Sequence, residues 1–211
     1  MRTGLRPPWF IWGESSPPDP PRSAAVRAGQ GGWPINKPVE VREARTAAEM
    51  EAAGRVTVAA NAEFAPADPD GPFAPSWARY LAEMADAATR AAQGVLLVAV
   101  EDGEVVGTVT LYLAPGSMQW RPDDAMFRLL AVDPAARGRG IGRALLQACL
   151  DRARAAGKRR MALHTTEWMP VARAMYERAG FRREPEGDEE LPGVTIIAYA
   201  ADLEPAGDAC A

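Results

Sequence analysis

Cysteine and histidine are scarce in this chain, and a long apolar run is missing. The 211 residues include two cysteines, Cys149 and Cys210, and one histidine, His164. So few thiols exclude a disulfide framework, and a zinc site made of cysteine and histidine is close to excluded. No apolar run approaches the roughly 20 residues of a membrane span. We therefore expect no bound metal and no membrane association.

An excess of positive charge is also missing. The formal net charge is -4, whereas domains that bind nucleic acid are typically basic. We therefore predict no nucleic-acid partner. The first residues contain no unbroken apolar segment of the kind found in secretory signals, and we predict a cytoplasmic protein.

The domain organisation follows from the distribution of proline and glycine. We expect a Pro/Gly-rich, disordered tail at 1–37, one domain over 38–204 and a loose C-terminal tail at 205–211. An alternative for the N-terminal tail is an aromatic anchor that folds onto a partner or a second subunit. Its aromatic residues are Trp9, Phe10, Trp12 and Trp33.

Hydrophobic periodicity predicts the element order β-α-α-β-β-β-α-β-α-β, with a short additional strand near Phe181. This order indicates an α/β (α+β) fold in which a central mixed β-sheet is flanked by helices. The stretches 61–77, 114–124 and 184–190 are expected to be loops. Capping, hairpin and helix-stop signals set the boundaries: Thr46 with Glu49, Ser76, Gly94, Asp102 with Gly103, Pro170 and Gly180.

The motif RGRGIG, residues 137–142, lies between an expected strand and an expected helix. Helix N-termini bind anions, and glycines allow the ligand to approach closely. The motif lacks the Gly-Lys-Ser/Thr of a P-loop, and Arg143 stands where a dinucleotide fingerprint has its third glycine. A glycine-rich turn that binds nothing is the alternative.

Two stretches resemble the signatures of the GCN5-related N-acetyltransferase (GNAT) family. VDPAARGRGIGRALL is similar to the acetyl-CoA-binding signature, with Arg137, Gly140 and Gly142 at its defined positions. MPVARAMYERAGFRRE is similar to a second signature, a helix that ends in Tyr-x-x-x-Gly-Phe. The expected element order also matches this family. The resemblance implies the GNAT acyl-CoA N-acyltransferase fold, acetyl-CoA as co-substrate and an amine-bearing acceptor.

The resemblance also implies a place for the coenzyme. Backbone N–H groups of 137–143 would bind the pyrophosphate, and the strand before the turn would pair with the pantetheine arm. That strand and the next one, 160–165, would diverge to make room. The implied cofactor-binding residues are Leu130, Ala131, Val132, Arg137, Gly138, Arg139, Gly140, Ile141, Gly142 and Arg143.

Tyr176 matches the residue that protonates the departing thiolate in the family, so the resemblance implies a general acid. Its helical spacing with Ala172, Met175 and Ala179 fits a core aromatic residue equally well. Both roles can hold if the inner face of the helix meets the diverging strands.

The general base is left open by the sequence. Relatives often carry a glutamate on the strand that enters the glycine turn, where this chain has Met126 and Arg128. His164 is a candidate because an imidazole titrates near neutral pH. Glu167, just beyond it, is a second candidate. Glu63 and a water relay are further alternatives, and His164 fits a half-buried structural histidine as well.

Arg128, the threonines at 165 and 166, and Cys149 each allow two interpretations. Arg128 is expected on one strand face with Met126 and Leu130, and its partner would be an internal acid or a substrate carboxylate. Thr165 or Thr166 would replace an asparagine that contacts the coenzyme in many relatives. Cys149 is interpreted as helix packing rather than a nucleophile.

The leading hypothesis is an N-acetyltransferase that moves an acetyl group from acetyl-CoA to a primary amine by direct attack. The acceptor would be a small molecule, a peptide or a protein, met by the loops 61–77 and 114–124. The alternative is an acetyl-CoA sensor with little or no catalysis, which the missing strand glutamate favours. A homodimer is common among relatives, and no residue pattern here indicates one.

Overall fold

The computed structural model describes residues 39–65, 74–113, 124–191 and 194–203. The predicted tails at 1–37 and 205–211 lie outside these ranges, as do most of the expected loops at 61–77 and 114–124. Within the described part of the chain, no helix is long and apolar enough to cross a membrane.

The helices and strands follow one another in nearly the expected order. The strands are β1 Glu40–Glu43, β2 Val95–Glu101, β3 Glu104–Tyr112, β4 Ala125–Val132, β5 Arg160–Thr166, β6 Arg182–Arg183, β7 Glu189–Leu191 and β8 Val194–Asp202. The α-helices are α1 Ala47–Asn61, α2 Ala74–Ala85, α3 Ala87–Gln93, α4 Ile141–Ala155 and α5 Pro170–Arg178. Single 3-10 turns occupy Ala62–Phe64, Pro134–Ala136 and Pro185–Gly187.

The strands form one mixed sheet in the order β1-β2-β3-β4-β5-β8-β6, and β7 pairs with β8. All pairs are antiparallel except β4 with β5. The predicted mixed sheet is confirmed. The prediction of a loop over 184–190 is wrong in part, because β7 begins at Glu189 and uses the free edge of β8.

The sheet opens between its two central strands. β4 and β5 pair only through Ala125 with Met161 and Met126 with Ala162. Beyond these pairs β5 stays paired with β8 as far as Thr166, while β4 follows β3 to Val132. The facing edges of β4 and β5 are therefore unpaired with each other after their first residues, which is the divergence that the resemblance implied.

A β-bulge in β4 reverses the side on which its residues point. Leu129 has φ 51°, and the register with β3 shifts between Thr108 and Thr110. Ala131 therefore packs with Val56 and Ala60 of α1, while Leu130 packs against the core beneath α4 and α5. The prediction that Arg128 and Leu130 share a face is wrong, because a bulge adds one residue to the alternation.

Helices cover both faces of the sheet. Helices α1 and α3 pack on one face, and α4 packs on the other against β2, β3 and β4. The larger core lies beneath α4 and α5, where inward residues of the sheet meet one stripe of each helix. Its fully buried members include Leu97, Val109, Leu111, Ala125, Leu145, Cys149, Met161, Leu163 and Tyr199.

The single helix expected from Ser76 to Gly94 is two helices. The first begins at Ala74, so that Ser76 lies within it, and it ends at Ala85. Asp86 caps the second, because its carboxylate accepts from the N–H of Thr89 at 2.9 Å. Arg90 is 4% exposed and donates to the carbonyl oxygens of Glu83 at 3.0 Å and Met84 at 2.6 Å. These bonds satisfy the C-terminal end of α2.

The junction of α1 with the end of α2 depends on Gly54. A Cβ at this position would overlap the carbonyl oxygen of Ala85. Alanine in place of glycine usually stabilises a helix by about 1 kcal/mol. Here we expect Gly54→Ala to lower the free energy of unfolding by about 1–3 kcal/mol, since backbone must shift. Chemical denaturation measures this change.

The matched control for this prediction is Ala59→Gly, at an exposed position of the same helix. It should lose about 1 kcal/mol through helix propensity alone. A Gly54→Ala variant that is more stable than the wild type would show that the contact between the two helices is loose.

Candidate functional site

The glycine turn presents free backbone N–H groups at the start of α4. Gly138 and Gly140 have φ 78° and 83°, a conformation that glycine adopts without strain. Gly140 is the N-cap and offers no side chain, and the first helical bond runs from Ala144 to the Gly140 carbonyl at 3.0 Å. The N–H groups of Ile141, Gly142 and Arg143 therefore lack helical acceptors, as at other anion-binding helix ends.

The space above the turn is open. A Cβ built on Gly138 or Gly140 would meet no atom within 4 Å. At Gly142 a Cβ would lie at ordinary contact distance, 3.5 Å from Met175 Sδ and 3.6 Å from a Val132 methyl. Gly138 and Gly140 are thus needed for backbone conformation, whereas Gly142 brings α4 close to β4 and α5.

The arginines of the turn bind to the protein itself. Arg137 donates to Glu63 at 2.8 Å and to the carbonyl of Ala60 at 2.8 Å, which ties the turn to the end of α1. Arg139 forms a hydrogen-bonded ion pair with Glu101 at the end of β2, and this contact raises the pKa of Arg139. Both arginines hold the turn in place, so that the backbone rather than these two guanidinium groups faces an anion.

Arg143 differs from those two arginines. Its side chain is exposed on the first turn of α4, and it has no ion-pair partner within the described residues. It is therefore the arginine of the turn whose charge is available to a ligand.

The turn stands at the end of the opening between β4 and β5. Leu130, Ala131 and Val132 form the last part of β4, beyond its pairing with β5. Leu130 and Val132 point toward α4 and Ala131 toward α1, so their backbone edge faces the opening. The ten residues expected to hold the coenzyme, at 130–132 and 137–143, therefore lie on this edge and on the turn that follows it.

Tyr176 lies beneath the opening on α5. It is 6% exposed, and its ring centroid lies 5.7 Å from that of Phe127 on β4 and 6.1 Å from that of Phe181. Its hydroxyl makes no hydrogen bond within the described residues. Burial raises the pKa of Tyr176 well above its usual value near 10, so the hydroxyl keeps its proton at every physiological pH.

The two roles foreseen for Tyr176 are therefore both compatible with its position. The ring belongs to the core, and the hydroxyl keeps a proton that no described neighbour uses. Cys149 lies near it, and burial raises the pKa of that thiol to about 12. A thiol with so high a pKa is not a nucleophile, which agrees with the packing role expected for Cys149.

Comparison with known proteins identifies the family. The family model for the acetyltransferase (GNAT) family matches residues 58–181. The chain belongs to this family. It is 38% identical over 90 residues to an L-2,4-diaminobutyric acid acetyltransferase of Nocardia farcinica, a match that covers 43% of this chain and 45% of that protein. It is 49% identical over 53 residues to a mycothiol acetyltransferase of Beutenbergia cavernae, covering 25% and 18%.

Solved structures of GNAT proteins share the fold. The PaiA N-acetyltransferase of Thermoplasma acidophilum, solved in complex with coenzyme A, has a TM-score of 0.57 and 16% sequence identity. That likeness covers 78% of this chain and 99% of the other. By contrast, the chain spans less than half the length of the curated relatives named above.

Among the base candidates expected in this GNAT chain, His164 lies at the opening and two glutamates lie elsewhere. His164 is half-buried on β5, and its Nε2 lies 3.1 Å from the carbonyl of Gly187. Burial lowers the pKa of His164, and the nearby charge of Arg128 lowers it further. Glu63 is in the ion pair with Arg137 at the glycine turn. Glu167 is exposed in the turn after β5.

Arg128 carries a positive charge beside the opening, on the face of the sheet that α1 and α3 cover. Its guanidinium pairs with Glu83 of α2 at 3.2 Å, which is the internal acid that one interpretation expected. Its charge also lowers the pKa values of Tyr80 and Tyr112, which burial raises, and acts on His164. Aromatic, acidic and basic side chains thus converge beside the opening, on the side away from α4.

Sequence reasoning missed Glu189. This residue opens β7, and its Oε2 atom is buried without a hydrogen-bond partner. Thr166 Oγ1, at the end of β5, is likewise buried and unpartnered, whereas Thr165 donates weakly to Met169 Sδ at 3.7 Å. Glu189 lies in an acidic stretch of the kind that is usually solvated, so its sequence carried no signal of burial.

Proposed function

We propose that this GNAT protein transfers the acetyl group of acetyl-CoA to a primary amine by direct attack. The observation that carries the proposal is the uncapped turn at Gly140, placed where the unpaired edge of β4 ends. A pyrophosphate on the turn would leave the rest of an extended coenzyme directed along that edge.

The described residues fit the coenzyme. Donors for the pyrophosphate are the N–H groups of 138–143, together with the exposed side chain of Arg143. The edge of Leu130, Ala131 and Val132 offers backbone groups for an amide-bearing arm. Bound acetyl-CoA would supply an activated thioester, and a backbone N–H near Leu130 would stabilise charge on its carbonyl oxygen, as the family resemblance implies.

Acetyl transfer to an amine requires two proton transfers. An alkylamine has a pKa near 10.4 and arrives mostly protonated, so that a group or water must remove a proton. The leaving thiolate must gain one, and Tyr176 is the matching donor because burial keeps its hydroxyl neutral. His164 and Glu167 stay predicted bases.

The acceptor class follows from family membership and stays broad. The two relatives are named for different compounds, L-2,4-diaminobutyric acid and mycothiol. The acceptor would approach beside Arg128, whose guanidinium pairs with Glu83 of α2. A cytoplasmic location and a homodimer stay predictions.

Calorimetric titration with acetyl-CoA tests the first step. We expect saturable binding, and about 2.7 kcal/mol of added stability at a ligand concentration a hundred times the dissociation constant. Release of coenzyme A is then followed with L-2,4-diaminobutyrate, an aminoglycoside, a peptide with a free N-terminus and a lysine side chain. Absence of acetyl-CoA binding to the folded protein would refute the proposal.

A second candidate function is an acetyl-CoA sensor. Met126 and Arg128 stand on β4 where relatives often carry a glutamate, and this departure favours loss of catalysis. The two functions differ in one measurement. An enzyme releases coenzyme A faster when an amine is added, whereas a sensor binds acetyl-CoA and releases none above the uncatalysed rate.

A further inference from the structure

Thr166 and Glu189 lie in one row across three strands. In the register, Thr166 of β5 stands opposite Ile196 of β8, and Ile196 stands opposite Glu189 of β7. Residues directly opposite each other in antiparallel pairs point to the same face. Two strand spacings of about 4.8 Å place the outer two residues about 10 Å apart, with Ile196 between them.

This row points to the side of the sheet where Arg128 lies. His164 and Thr166 are two residues apart in β5 and therefore share a face. The charge of Arg128 lowers the pKa values of both His164 and Glu189. The register therefore places Glu189 on the face of the sheet that carries His164 and Arg128, although β7 itself pairs with the outer edge of β8.

Both polar atoms in the row lack a partner. Glu189 Oε2 and Thr166 Oγ1 are buried from solvent and make no hydrogen bond to any residue that the structure describes. Such groups are rare in folded proteins and often mark a functional site. Thr166 lies beyond the end of the β4–β5 pairing, and Glu189 lies in the same row two strands away.

The other acidic residues nearby are engaged. Asp188 accepts from Arg183 at 2.7 Å and from the N–H of Ala198 at 2.8 Å. Glu190 accepts from Thr195 at 3.1 Å, and Glu184 pairs with Arg160 at 2.6 Å. Within the described part of this stretch, Glu189 is therefore the carboxylate with a buried oxygen still to be satisfied.

We propose that Glu189 and Thr166 form the subsite for the acceptor's primary ammonium group, and that Glu189 removes its proton. An ammonium group between them would donate to Glu189 Oε2 and to Thr166 Oγ1, and Ile196 would form the apolar floor. The inference rests on the proposed acetyl transfer, since it names the group that prepares the amine.

The proton and bond balance is complete. The ammonium N–H bond breaks, its electron pair stays on nitrogen, and the proton passes to the Glu189 carboxylate. The free amine then forms the C–N bond at the acetyl carbonyl, and the C–S bond breaks. The thiolate takes the proton of Tyr176, and the second amine proton passes through water to the tyrosinate. Glu189 then releases its proton to solvent, so both residues are restored and no oxidant or further reactant is needed.

Burial raises the pKa of Glu189, and the charge of Arg128 opposes that rise. A carboxylate with a raised pKa is a stronger base toward an ammonium group. The other groups facing it are His164 on β5 and, on α2 beyond Arg128, Glu83. The rate should therefore fall at acidic pH as Glu189 becomes protonated.

The test compares Glu189→Gln with Glu190→Gln, a neighbour that points to the other side of the strand. With whichever panel amine the wild type acetylates, we expect kcat/KM of E189Q to fall by about 10²–10⁴-fold. Acetyl-CoA affinity should be unchanged, and E190Q should stay within threefold of the wild type. In E189Q the acidic limb of the pH profile should move toward the pKa of the amine itself.

Thermal unfolding supplies a readout that needs no turnover. A carboxyl whose folded pKa is raised stabilises the fold at low pH and loses that contribution as pH rises through the folded pKa. E189Q should therefore have a higher Tm than the wild type near pH 8, and this advantage should vanish near pH 4. Low activity with a lower Tm at pH 8 would indicate misfolding and overturn the inference.

The failures of the two proposals are distinguishable. Wild-type protein that turns over none of the panel amines refutes the acetyl transfer on which this inference rests. Wild-type turnover that E189Q retains within threefold refutes the role of Glu189 alone, and leaves His164 or water to remove the proton.

Discussion

Replacement of Gly140 by leucine should weaken acetyl-CoA binding at least about a hundredfold, which corresponds to about 2.7 kcal/mol. Two effects act together. The left-handed conformation, φ 83°, disfavours any residue with a Cβ. The leucine side chain would also enter the open space above the turn, where the N–H groups of α4 meet the pyrophosphate. Calorimetric titration measures the loss.

Gly157→Leu is the matched control. Gly157 has φ 72° and likewise no atom within 4 Å of a built Cβ, but it follows the other end of α4, about 22 Å away along the helix. Both variants should lose about 1–2 kcal/mol of stability, and only the first should lose the ligand. If Gly157→Leu loses as much affinity, the effect is destabilisation, and if Gly140→Leu keeps its affinity, the turn is not the coenzyme site.

The part of the site that lies on one short segment could be predicted from the sequence. Glycines at 138 and 140 specify their own backbone conformation, and the strand and helix around them are periodic. Such a segment depends on local rules, so the strand, the glycine turn and the helix that follows it could be predicted. The ion pairs of Arg137 and Arg139 could not be predicted, because their partners are distant in the sequence: Glu63 follows α1, and Glu101 ends β2.

The elements that were missed depend on tertiary contacts. The break between α2 and α3 is a single residue, Asp86, without glycine or proline, and the buried Arg90 holds the two helices together there. The bulge at Leu129 has no glycine to indicate it, since its positive φ is imposed by pairing with β3. β7 forms because β8 offers it an edge.

The bulge and β7 are also the elements that carry the proposed acceptor subsite. The bulge determines which residues of β4 face the α1–α3 side, so Arg128 could not be placed correctly without it. Glu189 takes its place in the proposed acceptor subsite only through the pairing of β7 with β8. The proposed coenzyme site therefore follows from a motif, whereas the proposed acceptor subsite depends on segments that only the fold brings together.

Tyr176→Phe should lower kcat by about 10²–10⁴-fold, the usual contribution of a general acid, and leave acetyl-CoA affinity unchanged. The variant keeps the ring that packs on Phe127 and Phe181, and it removes a hydroxyl that bonds to no described residue. Its free energy of unfolding should therefore change little. Steady-state kinetics and chemical denaturation measure the two quantities.

Tyr199→Phe is the matched control, because Tyr199 is also buried but its hydroxyl is occupied. It accepts from Arg173 at 3.3 Å and donates to Glu177 at 2.9 Å, both on α5. Loss of this hydroxyl should lower the free energy of unfolding by about 1–3 kcal/mol, with a much smaller change in kcat. Tyr176→Phe should therefore lose activity and keep its stability, whereas Tyr199→Phe should lose stability and keep most of its activity. A Tyr176→Phe enzyme that is as active as the wild type would make Tyr176 a core residue only, and the leaving thiolate would take its proton from water.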